Sequence, residues 1–474
     1  MNRSSSHISK NNKSEDNQET IAAISTPFGE SGIGIVRLSG SMAESICRRV
    51  FKPKREPPCY DSHFFQCGEV IDPEKGSPID EVLMVVMKAP KSYTREDVVE
   101  IHCHGGYLIV QKVLDLVRRH GARLAEPGEF TKRAFLNGRI DLTQAEAVVD
   151  LINAKTSASL EIANRQRRGV LCQEVMILKE RLVEKLALIE AHIDFPDEEI
   201  DLISLEGMGK EFDQMVAMIR GWIGTYGEGK ILRDGVSCAI VGKTNVGKSS
   251  LLNVLLNEDR AIVTAIAGTT RDVIEEVLNI SEIPVRLMDT AGLRNTVDCV
   301  EREGVRRTKE RVKTADLILL VLDGSRELDR EDQEILDEVT NKKKVIVVNK
   351  RDLEPRFSVE DIRSRFQCDS VVPVSALMKE GIDDLKTAIH GAVIKGDVMS
   401  SAKSVIVANL RHKIALEKAE ENLLVSRKGL EDKISLEFIA FEVRTALEAL
   451  GEIVGETTTE EVLEHIFERF CIGK

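Results

Sequence analysis

Aromatic residues make up only 4% of this 474-residue chain, with one tryptophan and four tyrosines. That scarcity argues against an aromatic platform for stacking single-stranded bases and suits a helix-rich architecture. A basic excess is missing too. The net charge is −13, so the molecule as a whole repels nucleic acid, and any RNA contact must be local or supplied by a partner. Nine cysteines occur without a single Cys-x-x-Cys pair, which removes the spacing expected of a zinc site and reads as a reducing, cytoplasmic protein. No apolar run approaches the roughly 18 residues of a membrane span. Met1 to Glu19 is polar and lacks an apolar core, so it reads as a disordered tail rather than a signal peptide.

What remains is a chain long enough for roughly three domains of about 150 residues each. The expected fold class is multidomain α+β and α/β. An N-terminal α+β domain is expected over 20–138, where Ile33–Leu38, Val82–Met87 and Val98–His104 read as strands. Tyr107 to His120 carries helical apolar spacing and stops at Gly121. Residues 139–234 hold one proline, Pro196, and long apolar–charged periodicity, so they read as antiparallel helices. Residues 235–396 read as an α/β nucleotide domain inserted into this bundle. Helical pattern resumes over 397–474, with Thr457-x-x-Glu460 as a capping box for the last helix.

The chemistry concentrates at Gly242-Lys-Thr-Asn-Val-Gly-Lys-Ser249. An apolar strand precedes it and an apolar helix follows, which is the context a phosphate-binding loop requires. Glycines let backbone N–H groups converge on one anion, and the helix N-terminus adds partial positive charge. Lys248 reaches terminal phosphates, and the Ser249 hydroxyl suits Mg²⁺. Downstream motifs select the base. Asp289-Thr-Ala-Gly292 ends an apolar strand, where an aspartate can hold the Mg²⁺ shell and a glycine N–H can sense the γ-phosphate. Asn349-Lys-Arg-Asp352 follows another apolar run. A carboxylate there accepts two N–H bonds from guanine, and adenine lacks that donor pair. Ser375-Ala376 ends the last strand and suits the guanine carbonyl. The order and placement of these motifs read as a Ras-like GTP-binding domain.

The nucleotide-contacting set is therefore Asn245, Val246, Gly247, Lys248, Ser249 and Ser250 in the loop. Thr264, Ala265, Ile266, Ala267, Gly268, Thr269 and Thr270 belong to the first switch. Asp289, Thr290, Ala291 and Gly292 belong to the second, and Asn349, Lys350, Asp352, Ser375, Ala376 and Leu377 surround the base. One position is anomalous. Leu293 stands where many small GTPases carry a water-orienting glutamine, and leucine cannot hydrogen-bond. Asn245 offers a side-chain oxygen to a monovalent cation, or merely caps the loop.

With the switch Ile266-Ala-Gly-Thr-Thr-Arg-Asp272, the segments Pro127-Gly-Glu-Phe130, Ala134-Phe-Leu-Asn137 and Leu142-Thr-Gln-Ala-Glu-Ala147, and the terminal Cys471-Ile-Gly-Lys474, the chain resembles the tRNA wobble-uridine modification GTPases of the MnmE (TrmE) type from about residue 20 onward. The resemblance implies a K⁺ site at Asn245, Thr264, Ile266 and Thr269, Mg²⁺ at Ser249 and Thr270, and Glu301 acting on the water. It implies a folate-binding N-terminal domain that also dimerises the protein, with Arg37, Glu100, Arg139 and Lys474 on a 5-formyl- or methylene-tetrahydrofolate. It further implies a functional thiol at Cys471 and a homodimer that joins an FAD/NADH-using, MnmG-type subunit in a heterotetramer. Together they would add a carboxymethylaminomethyl or aminomethyl group to tRNA wobble uridine. His102 and His104 lie at strand spacing with no second cluster in the sequence, which argues against a metal there.

Overall fold

The computed structural model describes residues 19–27, 29–55, 60–195, 203–259, 276–288, 313–340, 342–366, 368, 370–394 and 405–474. It divides into two compact units. One comprises the N-terminal residues through Val149 together with Thr458–Lys474, and the other holds most of the remainder.

The first unit is built on a seven-stranded sheet. Its strands are β1 (Ile21–Ile24), β2 (Gly34–Ser39), β3 (Phe51–Pro53), β4 (Phe65–Ile71), β5 (Pro78–Met87), β6 (Val98–Cys103) and β7 (Arg123–Leu124), in the order β3-β4-β5-β6-β2-β1-β7. All pairings are antiparallel except β1 with β7. Strand periodicity of two puts Val36, Leu38, Val99 and Ile101 on the buried face. The helices Ala43–Val50 and Tyr107–Arg119 add Ile46, Val113 and Leu116 to that core. Burying such side chains supplies the main stabilisation, about 1.5–3 kcal/mol each.

The end of the chain belongs to this unit. Phe467 and Phe470 bury themselves with Leu142 and Ala145, and the helix Glu460–Phe467 packs on the helix Glu129–Leu136. Ile472 pairs with Pro127 as an antiparallel bridge. Glycine is needed at both contact points. A Cβ on Gly128 (φ 68°) would stand 2.8 Å from the Phe467 carbonyl, and one on Gly473 (φ 94°) 2.3 Å from the Ile24 carbonyl. The helix start also differs from expectation. Thr459 occupies the N-cap without a side-chain bond, while the Thr457 hydroxyl donates to the Glu448 carbonyl.

The second unit contains a helical bundle and a second sheet. The helices Val170–Asp194, Ile203–Gly224, Leu410–Glu431 and Leu436–Val454 enclose one core, including Leu178, Phe212, Leu416 and Val443. The sheet runs β13-β12-β11-β8-β10-β9, with β8 (Val236–Val241), β9 (Glu276–Ile280), β10 (Ile283–Leu287), β11 (Leu317–Asp323), β12 (Lys344–Asn349) and β13 (Val371–Pro373). Only β9 runs antiparallel to its neighbour. Apolar side chains cover both faces, as a parallel sheet requires, and every residue of β11 is buried. Ligand sites in such sheets lie at the carboxyl ends of the strands, where the predicted motifs fall.

Candidate nucleotide and folate sites

The phosphate loop joins β8 to the helix Lys248–Asp259. Gly242 (φ 147°) passes so close to β11 that a Cβ would meet the Val321 carbonyl at 2.3 Å. Gly247 (φ 98°) leaves no room either, because a Cβ would meet Asn349 Nδ2 at 2.1 Å. Asn245 takes a left-handed backbone (φ 63°) and is exposed, a conformation asparagine tolerates better than most residues. Val246 is fully buried beneath the loop. Lys248 Nζ donates to the Gly242 carbonyl at 2.8 Å and also to the Lys243 carbonyl. Its ammonium thus folds into the concavity that phosphates would fill. Ser249 and Ser250 follow in the first helical turn, whose N–H groups favour an anion.

The base-reading motifs converge on this loop. Asn349 is 3% exposed; its Nδ2 donates to the Val246 carbonyl at 2.8 Å, and its Oδ1 accepts from the Ala376 N–H at 3.0 Å. One side chain therefore brackets the phosphate loop and the Ser375–Ala376 turn. The Ala376 N–H, expected on the guanine carbonyl, is committed here to Asn349. The Ser375 hydroxyl donates to Asp352 Oδ1 at 2.5 Å, fixing an otherwise exposed carboxylate, and Leu377 lies open at the rim. Lys350 (φ 66°) donates from Nζ to Asp323 Oδ2 at 2.6 Å. Burial raises the Asp323 pKa, but the bonds from Lys350 and Ser325 outweigh it and hold the carboxyl below its ordinary range. Thr264, Ala265, Ile266, Ala267, Gly268, Thr269, Thr270, Asp289, Thr290, Ala291, Gly292 and Glu301 lie outside the described residues.

In the first unit, β2 and β6 pair so that Arg37 faces Glu100. Arg37 Nε donates to Glu100 Oε1 at 2.8 Å, and an Arg37 terminal nitrogen reaches the Gly473 carbonyl at 3.4 Å. The tail thereby brings Lys474 to the same place. Burial, then the neighbouring Arg37 charge, lower the Lys474 pKa, while Glu100 opposes them. Arg37 and Lys474 thus bring N–H donors beside the Glu100 carboxylate in one half-buried cluster, which suits a ligand carrying both carboxylates and N–H groups. Arg139 joins through Tyr93: it donates to the Tyr93 carbonyl at 2.6 Å, and its guanidinium lies 4.9 Å from the Tyr93 ring centroid. The Arg37 guanidinium lies 5.9 Å from the same ring. Cys471 is exposed.

Two contributors were missed in the sequence. His102 Nε2 bonds Glu100 Oε2 at 3.0 Å, and the two-residue strand spacing of Glu100 and His102 was the available signal. Tyr93 sits in a loop without periodicity, and nothing local marked it. His104 pairs instead with Asp80, at 2.7 Å.

Comparison with known proteins identifies the family. A family model described as the MnmE helical domain matches residues 142–471, and one described as the GTP-binding protein TrmE N-terminus matches residues 20–139. The tRNA modification GTPase MnmE of Geotalea uraniireducens (strain Rf4) is 49% identical over 457 residues, covering 96% of this chain and 99% of that protein. Its namesake from Alkaliphilus oremlandii (strain OhILAs) is 46% identical over 458 residues, with the same coverage. Among solved structures, Era of Aquifex aeolicus aligns with 40% of this chain and 67% of its own at 27% identity, with a TM-score of 0.26, too loose a superposition to carry weight. With both family models matched and relatives near half-identical from end to end, the chain belongs to the MnmE (TrmE) family of tRNA modification GTPases.

Proposed function

We propose that the protein is a K⁺-stimulated GTPase that, with an FAD/NADH-dependent MnmG-type partner, adds a carboxymethylaminomethyl or aminomethyl group to C5 of tRNA wobble uridine, taking the one-carbon unit from a reduced folate. That it is a GTP hydrolase acting in tRNA modification follows from its family. The observation that carries the finer reading is the convergence of Arg37, Glu100 and Lys474, a half-buried cluster whose N–H donors suit folate carboxylates and whose carboxylate suits a pterin N–H edge.

Lys248 and the loop N–H groups hold the phosphates, Asp352 reads guanine, and Asn349 keeps the two aligned. Ser249 and Thr270 would hold Mg²⁺, which neutralises charge between the phosphates. Asn245, with Thr264, Ile266 and Thr269, would hold K⁺. In the segment Asp289-Thr290-Ala291-Gly292, Asp289 would hold the Mg²⁺ shell and the Gly292 N–H would sense the γ-phosphate. Glu301 takes the place of the missing glutamine by orienting the water, so Glu301→Ala should lower kcat while nucleotide affinity stays near wild type. The protein works as a cytoplasmic homodimer within a heterotetramer, and Cys471 is a candidate functional thiol. Among the described residues no helix is long and apolar enough to cross a membrane.

Nucleoside mass spectrometry of tRNA from a deletion strain tests the reading. The modified wobble nucleoside should disappear, and unchanged wobble uridines would sink it.

A further inference from the structure

The loop after β11 lies between the two halves of the nucleotide site. β11 pairs on one side with β8, which leads into the phosphate loop, and on the other with β12, which ends at Asn349. Lys243 reaches this loop from the phosphate side. Its side chain is 3% exposed, bonded to Asp329 and 3.2 Å from Asp332. From the base side, Lys350 donates to Asp323 at 2.6 Å. Arg326 stands in the middle, with Nε 3.9 Å from Asp323 and a terminal nitrogen 3.9 Å from Asp332. Both nitrogens are buried, and neither has a hydrogen-bond partner among the described residues. Buried donors without acceptors are unfavourable, so Arg326 gains from any small contraction that brings both carboxylates into bonding range.

We propose that Lys243, Asp332, Arg326, Asp323 and Lys350 form one ion-pair ladder tying the phosphate loop to the base-reading loop, with Arg326 as the positioning residue that closes it around bound nucleotide. Charges alternate along the ladder, so every adjacent pair attracts. Lys243 directly follows the phosphate-cradling Gly242. Lys350 forms the left-handed turn two residues before Asp352, so its pairing with Asp323 anchors the backbone that carries that carboxylate. A closed ladder makes the two loops move together, and nucleotide then cannot leave by loosening one end alone. The proposal rests on the reading that one nucleotide spans Lys248 and Asp352.

The test is release of mant-GDP from the full-length protein, followed by fluorescence on adding excess GDP. The Arg326 side chain as a whole is 41% exposed although the two pairing nitrogens are buried, so nearby solvent limits the effect. Arg326→Gln should speed release by about threefold to fivefold without moving the thermal midpoint, and Arg326→Lys should recover part of the loss. Combining Arg326→Gln with Lys243→Gln should give less than the product of the single effects, because either change breaks the same ladder. Asp352→Asn checks the underlying site separately. Unchanged mant-GDP affinity in that variant would overturn the nucleotide reading and the ladder with it. A weakened Asp352→Asn beside an unchanged release rate in Arg326→Gln would overturn the ladder alone, as would strictly multiplicative effects in the double variant.

Discussion

The Asn349 side-chain amide donates to the Val246 carbonyl at 2.8 Å while its oxygen accepts from the Ala376 N–H at 3.0 Å, so one buried residue holds the phosphate loop against the base-reading turn. Removing it leaves two buried backbone groups without partners. Each unmade bond of this kind costs about 1–3 kcal/mol. Asn349→Ala should therefore weaken mant-GTP binding by about tenfold to a hundredfold, read by fluorescence titration. Wild-type affinity would show that the bracket is incidental.

The left-handed backbone at Asn245 complicates its use as a cation ligand test. Alanine at φ 63° adds strain of its own, whereas glycine removes the side-chain oxygen and keeps the turn. In Asn245→Gly, GTP turnover in KCl should fall to the rate seen in NaCl. A surviving preference for KCl would move the cation elsewhere.

Gly473→Ala should displace the tail. Its Cβ would stand 2.3 Å from the Ile24 carbonyl, and the backbone there is left-handed (φ 94°), which costs an alanine about 1–2 kcal/mol before any clash. Isothermal titration with 5-formyltetrahydrofolate should show weaker binding, because Lys474 is carried away from Arg37 and Glu100. Undiminished affinity would remove Lys474 from the ligand set.

Glu100 sets a pH signature. Burial raises its pKa, but Arg37 and His102 outweigh burial and hold it below the ordinary glutamate value. A carboxyl depressed on folding adds stability above its unfolded pKa, and that stability disappears as pH falls through the folded value. Calorimetry should show wild type unfolding above Glu100→Gln at neutral pH, with the gap closing in acid, below the ordinary glutamate range. A gap of constant size would mean that the ion pair does not contribute.

Local chemistry made much of this legible. The segments read as strands near Ile33, Val82 and Val98 appear as β2, β5 and β6, and the helix expected to stop at Gly121 ends at Arg119. Strand alternation and helix periodicity are local properties, written in neighbouring residues. The phosphate loop was equally plain, since glycine spacing, lysine and the flanking apolar runs lie within a few residues. The ionic site in the first unit was legible only through resemblance. Arg37 alone reads as a surface ion pair, and its partners lie 63 and 436 residues away.

Residue order along the chain was enough to establish the nucleotide motifs, their flanking strands and the family. Three-dimensional packing decided the rest. It took Thr458–Lys474 from the distant end and set it against Pro127 and Ile24, where two glycines permit backbone contact. It also made Asn349 a bracket and turned Lys243 toward Asp332. These are tertiary facts because hydrogen bonds and ion pairs act over about 3 Å of space, whatever the separation along the chain.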